Sequence, residues 1–270
     1  MSIGKLHFTL IGIVLFVVTA KAQTQDPVPV HDSLKLASKI LGETRTINIW
    51  TPPAYYQNVD SFMVLYMPDG GVGEDFLHIA NTLAALIEKK TIPPMILVGI
   101  ENTVRRRDMT GPTTSEEDKK LLPVHGGSAN FRAFIKDELF AAINKRYRTK
   151  NKRAIIGESL AGLFVVETLL QQPAMFQYYI AFDPSLWWNN HQLASDAETY
   201  LQNLPAQSTR FWFAGSDAKD IYKNTRLLEK QLKANQVPQL QWHYADKPKQ
   251  QHSTIFRAAK EEALEWIFNP

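Results

Sequence analysis

The sequence predicts one α/β domain built on a doubly wound, mostly parallel sheet that is flanked by helices. From about residue 43, short runs rich in β-branched and aromatic residues alternate with longer segments of helical periodicity. Several of the short runs are almost entirely apolar, as strands covered on both faces should be. In such a sheet, ligands bind beyond the carboxyl ends of the strands, so the residues that follow strands are the functional candidates.

The predicted elements alternate along the chain. The strands are expected at 46–50, 62–67, 95–100, 153–156, 178–182, 211–214 and 240–244. The helices are expected at about 74–90, 128–147, 160–172, 220–235 and 253–268. The one long irregular stretch, residues 101–128, follows a strand, and its length indicates a functional loop.

The N-terminus predicts a signal peptide over residues 1–22. Lys5 precedes an apolar run from Phe8 to Ala20, and Ala-Lys-Ala at 20–22 is a small-x-small cleavage site. The run is shorter than the ~20 residues that span a bilayer, although a membrane anchor is the alternative. We therefore expect export to the periplasm or the medium, with a lead-in segment at 23–42, a domain at 43–270, and no integral membrane segment after cleavage.

Composition excludes several function classes. The 270 residues are 44% hydrophobic and 21% charged and contain no Cys, which excludes a disulfide scaffold, a cysteine nucleophile and a Cys-ligated metal. Loss of Lys5 and Lys21 with the signal lowers the formal net charge from +3 to +1. No basic excess indicates nucleic acid as a partner. We expect neither a cofactor nor a metal, and the oligomeric state stays open.

A nucleophile elbow is predicted at residues 157–162, Gly-Glu-Ser-Leu-Ala-Gly. These residues lie between an apolar strand and an amphipathic helix, the context in which a sharp turn exposes a serine. Gly157 and Ala161 supply the small residues that the turn requires, although Ala161 replaces the usual Gly. Ser159 is the predicted nucleophile. The alternative is an ordinary strand-to-helix turn with Ser159 as the N-cap.

The predicted general base is His252, because a serine needs a base and the order expected for this fold class is Ser, acid, His. His252 follows the last predicted strand and precedes the final helix. The preferred acid is Asp217, which lies just after the strand 211–214. Asp220 and Asp183 are the other candidates, and Asp220 alternatively caps the next helix.

The oxyanion hole requires two N–H donors. Leu160, which follows the nucleophile, is expected to supply one. The second is expected from Gly70 or Gly71 in the Pro-Asp-Gly-Gly sequence after the strand 62–67. A plain turn is the alternative explanation of that sequence.

The chain from about Glu43 resembles the putative-esterase family of α/β-hydrolases, which includes enterobactin-type siderophore esterases and feruloyl esterases. The landmarks that carry the resemblance are Leu65–Gly70, Val98–Thr103, Arg107–Thr110, Gly126-Gly127, Tyr147–Thr149, Ile156–Phe164, Pro184–Trp188 and His252. The resemblance implies the α/β-hydrolase fold, with Ser159 as nucleophile and His252 as base. Glu158 and Ala161 depart from the family pattern. Asp183 stands where relatives often have Ser, and a Ser-His dyad is a further alternative.

The predicted function is an exported serine carboxylic-ester hydrolase that acts on a small-molecule ester, siderophore-like or aromatic. Arg107, within the basic run 105–107, and Trp187 and Trp188 are the expected substrate-binding residues, because Arg pairs with oxyanions and aromatic walls suit aromatic rings. A solvated loop and buried core aromatics are the alternatives. Other open functions are a carbohydrate acetyl or feruloyl esterase, an acyltransferase and a non-catalytic binding module.

Overall fold

The computed structural model describes residues 26–269, and within them one sheet of eight strands carries the domain. The strands are β1 (Asp32–Ser38), β2 (Glu43–Trp50), β3 (Phe62–Pro68), β4 (Met95–Ile100), β5 (Thr149–Glu158), β6 (Tyr178–Phe182), β7 (Thr209–Gly215) and β8 (Leu240–Asp246). Their order in the sheet is β1-β2-β4-β3-β5-β6-β7-β8. Strands β1 and β2 pair antiparallel, as do β2 and β4, and all other pairs are parallel.

The helices lie on both faces of this sheet. They are α1 (Ala54–Gln57), α2 (Phe76–Glu88), α3 (Arg105–Met109), α4 (Glu116–Leu121), α5 (Ser128–Ala133), α6 (Phe140–Arg146), α7 (Leu160–Gln171), α8 (Gln192–Ser195), α9 (Ala197–Leu201), α10 (Lys219–Ala234) and α11 (Ile255–Phe268). A π-helical segment, Phe134–Leu139, joins α5 to α6, and a 3₁₀ turn, Pro173–Met175, follows α7. Helices α2 and α11 share a core with one face, and α5 to α7 with α10 pack on the other.

The fold class predicted from sequence is confirmed. All seven predicted strands are present, and every residue of β3 and β4 is buried, which explains their apolar sequences. Strand β1 was not predicted and lies in the expected lead-in segment. It pairs along its length with β2 at the sheet edge, where alternate residues are exposed, so its sequence is too polar to stand out.

The predicted loop at 101–128 contains the short helices α3 and α4 and ends at α5. In the part of the chain that the structure describes, no helix is long and apolar enough to cross a membrane. The predicted signal peptide at 1–22 lies outside the described residues.

Candidate active site

Ser159 lies in a sharp turn between β5 and α7. Its backbone φ is +59°, a strained value for a residue with a side chain. A Cβ on Gly157 would come within 2.7 Å of the backbone carbonyl of Ala161, so this position requires glycine. The methyl group of Ala161 faces Gly157 and would lie 2.8 Å from such a Cβ, so the absence of a side chain at Gly157 makes room for it. The Ser159 side chain makes no N-capping hydrogen bond, which argues against the ordinary-turn alternative.

His252 lies within hydrogen-bonding distance of Ser159. Its Nε2 is 3.1 Å from Ser159 Oγ, although 93 residues separate the two. The segment between β8 and α11 carries His252, and 45% of its side chain is exposed. Ser185 Oγ is the other hydroxyl near the serine, 3.4 Å from Ser159 Oγ.

The acid that contacts His252 is Asp183. Its Oδ2 is 2.9 Å from His252 Nδ1, and its side chain is 0% exposed. The backbone N–H of Ser216 donates to Oδ1 and the Ser216 hydroxyl donates to Oδ2, both at 2.6 Å. Asp183 also has a positive φ of 41°, so a strained turn after β6 aims the carboxylate at His252.

The structure does not bring the preferred acid, Asp217, to His252. Asp217 is exposed, and its backbone N–H donates to Gln250 O at 3.0 Å. Ser216, one residue earlier, turns inward to Asp183, so the side chain of Asp217 points away. Asp220 is also exposed and lies in the first turn of α10. The carboxylate that contacts His252 is therefore that of the third candidate, Asp183, which follows β6 rather than β7.

One of the predicted oxyanion donors is free. Among residues 26–269, Leu160 N–H has no acceptor within the protein. The expected donor Gly70 is not free, because its N–H extends the β3–β4 pairing by donating to Ile100 O at 2.9 Å. The alternative donor, Gly71 N–H, donates to Glu74 Oε2 at 2.7 Å.

The surroundings of the serine raise the pKa values of His252 and Glu158. The hydrogen bond to Asp183 raises the pKa of His252 above its ordinary value of 6.5, and the negative charge of Glu158 acts in the same direction. Burial raises the pKa of Glu158 to about 7, with further repulsion from Asp75 and Asp183. Each of these two groups shifts the pKa of the other, so Glu158 and His252 titrate as a pair.

The basic run does not present Arg107 to a substrate. Arg107 Nε donates to Asp108 at 2.7 Å and Nη2 donates to Glu43 at 2.8 Å, so its guanidinium is held in an internal ion-pair cluster. Arg105 instead lies near the site, where it forms two hydrogen bonds of 2.7 Å with the carboxylate of Asp69. Internal carboxylates therefore occupy donors of Arg107, and its role as a substrate ligand stays a prediction.

The two tryptophans differ in exposure. Trp188 is 4% exposed, and its indole N–H donates to Gly111 O at 3.0 Å, so it is a core residue rather than a binding wall. Trp187 is half-buried and packs edge-to-face on Trp188.

Sequence reasoning missed a polar network at the carboxyl ends of β3 and β4. Asn102 Nδ2 donates to Asp69 Oδ1 at 2.5 Å and to Glu74 Oε1 at 2.7 Å. Arg105 holds the other side of Asp69. The signal that could have revealed the network is position, because each of its residues follows one of two neighbouring strands. Within residues 26–269, no group of three His, Asp or Glu side chains is arranged to hold a metal ion.

The eight-stranded, mostly parallel sheet flanked by helices has the α/β-hydrolase fold. Residues 38–267 match the family model described as "Putative esterase", and the chain belongs to that family.

Three known proteins illustrate the similarity. The ferri-bacillibactin esterase BesA of Bacillus subtilis is 39% identical over an alignment of 115 residues that covers 38% of this chain and 40% of that protein. An IroE-like serine hydrolase from Shewanella oneidensis has a TM-score of 0.82 and 25% identity, over 88% of this chain and 80% of the other. The enterobactin esterase FES from Shigella flexneri has a TM-score of 0.71 and 17% identity, over 91% and 60%, and shares the fold.

Proposed function

We propose that the protein is a serine carboxylic-ester hydrolase that works through an acyl-enzyme. The observation that carries the proposal is the hydrogen-bonded series Ser159 Oγ, His252 Nε2, His252 Nδ1 and Asp183 Oδ2, with distances of 3.1 and 2.9 Å. A serine is a weak nucleophile on its own, and this series supplies both a base and a group that orients the base. This hydrogen-bonded series also argues against a non-catalytic binding module, which does not require the three side chains to be aligned.

In the first half-reaction, Ser159 Oγ attacks the ester carbonyl carbon while His252 Nε2 takes the hydroxyl proton. Asp183 holds His252 through Nδ1–H and stabilises the imidazolium that forms. Leu160 N–H donates to the oxyanion. The tetrahedral intermediate then breaks its bond to the alcohol oxygen, His252 returns the proton to that oxygen, and the acyl group remains on Ser159.

In the second half-reaction, a water molecule attacks the acyl carbon. His252 takes one proton from the water, and the bond to Ser159 Oγ breaks as His252 returns a proton to it. The products are the free carboxylic acid and the original serine.

The favoured substrate class is a siderophore-like or aromatic ester. Support comes from the relative named a ferri-bacillibactin esterase and from the IroE-like serine hydrolase, the more similar of the two solved structures. The half-buried Trp187 is the remaining aromatic candidate for contact with a catechol or feruloyl ring. We also propose export through the leader at residues 1–22, for which N-terminal sequencing of the protein from cell fractions is the test.

The test is turnover of p-nitrophenyl acetate and butyrate by the purified protein. We expect hydrolysis by the wild type and none by Ser159→Ala, with the exposed Ser195→Ala as the matched control that retains activity. Ferric trilactone siderophores, feruloyl esters and acetylated sugars then compare the substrate classes. An inactive wild type, or equal activity in Ser159→Ala, would contradict the proposal.

A further inference from the structure

Neither glycine expected to complete the oxyanion hole has a free N–H group. The amide of Gly70 belongs to the sheet, through its hydrogen bond to Ile100 O. The amide of Gly71 donates to a carboxylate oxygen of Glu74 at 2.7 Å. The Gly71 N–H, which is not part of the sheet, is therefore occupied by the carboxylate of Glu74.

The sheet topology places the loop that carries this N–H at the same edge of the sheet as the nucleophile. Strands β3 and β5 are parallel neighbours, and Tyr66 lies opposite Ile155. The loop after β3 and the turn after β5 therefore lie at the same edge of the sheet, and the charge of Asp69, two residues before Gly71, is close enough to Glu158 to raise the pKa of that carboxyl. Leu160 carries the free N–H of the candidate oxyanion hole, and with Gly70 N–H bonded to Ile100 O, Gly71 is the remaining expected source of the second donor.

Contacts on both of its carboxylate oxygens hold Glu74 in place. Oε2 accepts from Gly71 N–H, and Oε1 accepts from Asn102 Nδ2 at 2.7 Å. The backbone closes the same turn, because Glu74 N–H donates to Gly71 O at 2.9 Å. Asn102 is itself tied to Asp69, so the segment after β4 fixes the carboxylate over the loop after β3.

We propose, on the basis of the function proposed above, that Glu74 masks the second oxyanion donor and must release Gly71 N–H during catalysis. A carboxylate on this N–H competes with the oxyanion of the tetrahedral intermediate for the same donor. The two negative charges also repel each other in a partly buried site. Glu74 thereby sets how much of the oxyanion hole is available, and it acts through Gly71 rather than on the substrate itself.

The experiment compares Glu74→Ala and Glu74→Gln with the wild type. Removing an oxyanion donor costs about 10²–10³ in kcat, so freeing one that is partly masked should raise kcat/KM of p-nitrophenyl butyrate by about fivefold or more in Glu74→Ala. KM should stay unchanged. An aryl trifluoromethyl ketone, which forms a tetrahedral adduct with the serine, should bind tighter by a similar factor. Glu74→Gln keeps the shape and removes the charge, and should give an intermediate gain.

Glu88→Ala is the matched control, because Glu88 is exposed at the far end of α2. It should leave both constants unchanged. Equal or lower kcat/KM in both Glu74 variants, with circular dichroism like that of the wild type, would overturn the inference and make Glu74 a brace for the turn. If instead the proposed function is wrong, neither the wild type nor any Glu74 variant will hydrolyse an ester. That result differs from the one that would overturn the inference about Glu74 alone.

Discussion

Asp183 and Ser216 are joined by two hydrogen bonds of 2.6 Å, one from the Ser216 backbone N–H and one from its hydroxyl. The two residues follow neighbouring parallel strands, β6 and β7, so the sheet itself brings them together. Because both of its oxygens accept these hydrogen bonds, the buried carboxylate of Asp183 is held in the orientation in which Oδ2 also contacts His252 Nδ1. This contact explains why the acid at this site follows β6.

Asp183→Asn tests that assignment. An asparagine cannot hold His252 in the same tautomer, so we expect kcat/KM for p-nitrophenyl butyrate to fall by about 10²–10⁴-fold. The matched control is Asp217→Asn, since Asp217 is exposed and outside the series. If Asp217→Asn were the damaging change and Asp183→Asn were harmless, the assignment of the acid would be reversed.

Glu158→Gln tests the electrostatic coupling to His252. Because Asp183 and Glu158 both raise the pKa of His252 and the base must be neutral, the acid limb of kcat/KM in the wild type should lie above pH 6.5. Removing the Glu158 charge should move that limb to lower pH. The measurement is the pH profile of kcat/KM from about pH 5 to about pH 8, the range in which His ordinarily changes its charge. Glu198→Gln, at an exposed position of α9, is the control, and a limb that stays in place in Glu158→Gln would refute the coupling.

Gly157→Ala tests the packing of the elbow. The new methyl group would lie 2.7 Å from the Ala161 backbone, so the turn must shift, and we expect a loss of about 1–3 kcal/mol in the free energy of unfolding together with lower activity. Urea denaturation measures the loss. Gly73→Ala is the control, because no atom lies within 4 Å of a Cβ there. Unchanged stability and activity in Gly157→Ala would show that the turn is less tightly packed than its geometry indicates.

Asp108→Ala tests the ion-pair cluster that holds Arg107. Asp108 is fully buried and accepts from Arg45 and Arg107, and Arg45 is also fully buried. Removing Asp108 leaves Glu43 as the remaining carboxylate partner of the buried Arg45 guanidinium, so the free energy of unfolding should fall by up to about 3–5 kcal/mol. Glu116→Ala, which breaks the exposed pair with Lys119, should cost about 1 kcal/mol or less. Similar losses in the two variants would contradict the structural role given to the cluster.

The sheet and its helices were predictable because buried strands and amphipathic helices leave strong patterns in the sequence. Strand β1 was not, since an exposed edge strand is polar along much of its length. Ser159 was recognisable from the residue sizes that its turn requires, and His252 from its place after the last strand. These local constraints act within a few residues of each position.

The acid and the oxyanion donors depend on contacts between distant segments. Asp183 and Asp217 both follow strands, and only the inward turn of Ser216 separates their roles. The occupation of Gly70 N–H depends on where β4 ends beside β3. Such side-chain directions and strand ends are set by packing across the sheet, which a single sequence does not encode in any short motif.

The most direct test of the central claim is covalent labelling with a fluorophosphonate, followed by peptide mass spectrometry. The account predicts one adduct, on Ser159, which is absent in Ser159→Ala and forms much more slowly in His252→Ala. The exposed Ser195 should stay unmodified in all three proteins. Absence of labelling in the wild type, labelling at another serine, or an unchanged rate in His252→Ala would contradict the claim that these two residues form a catalytic pair.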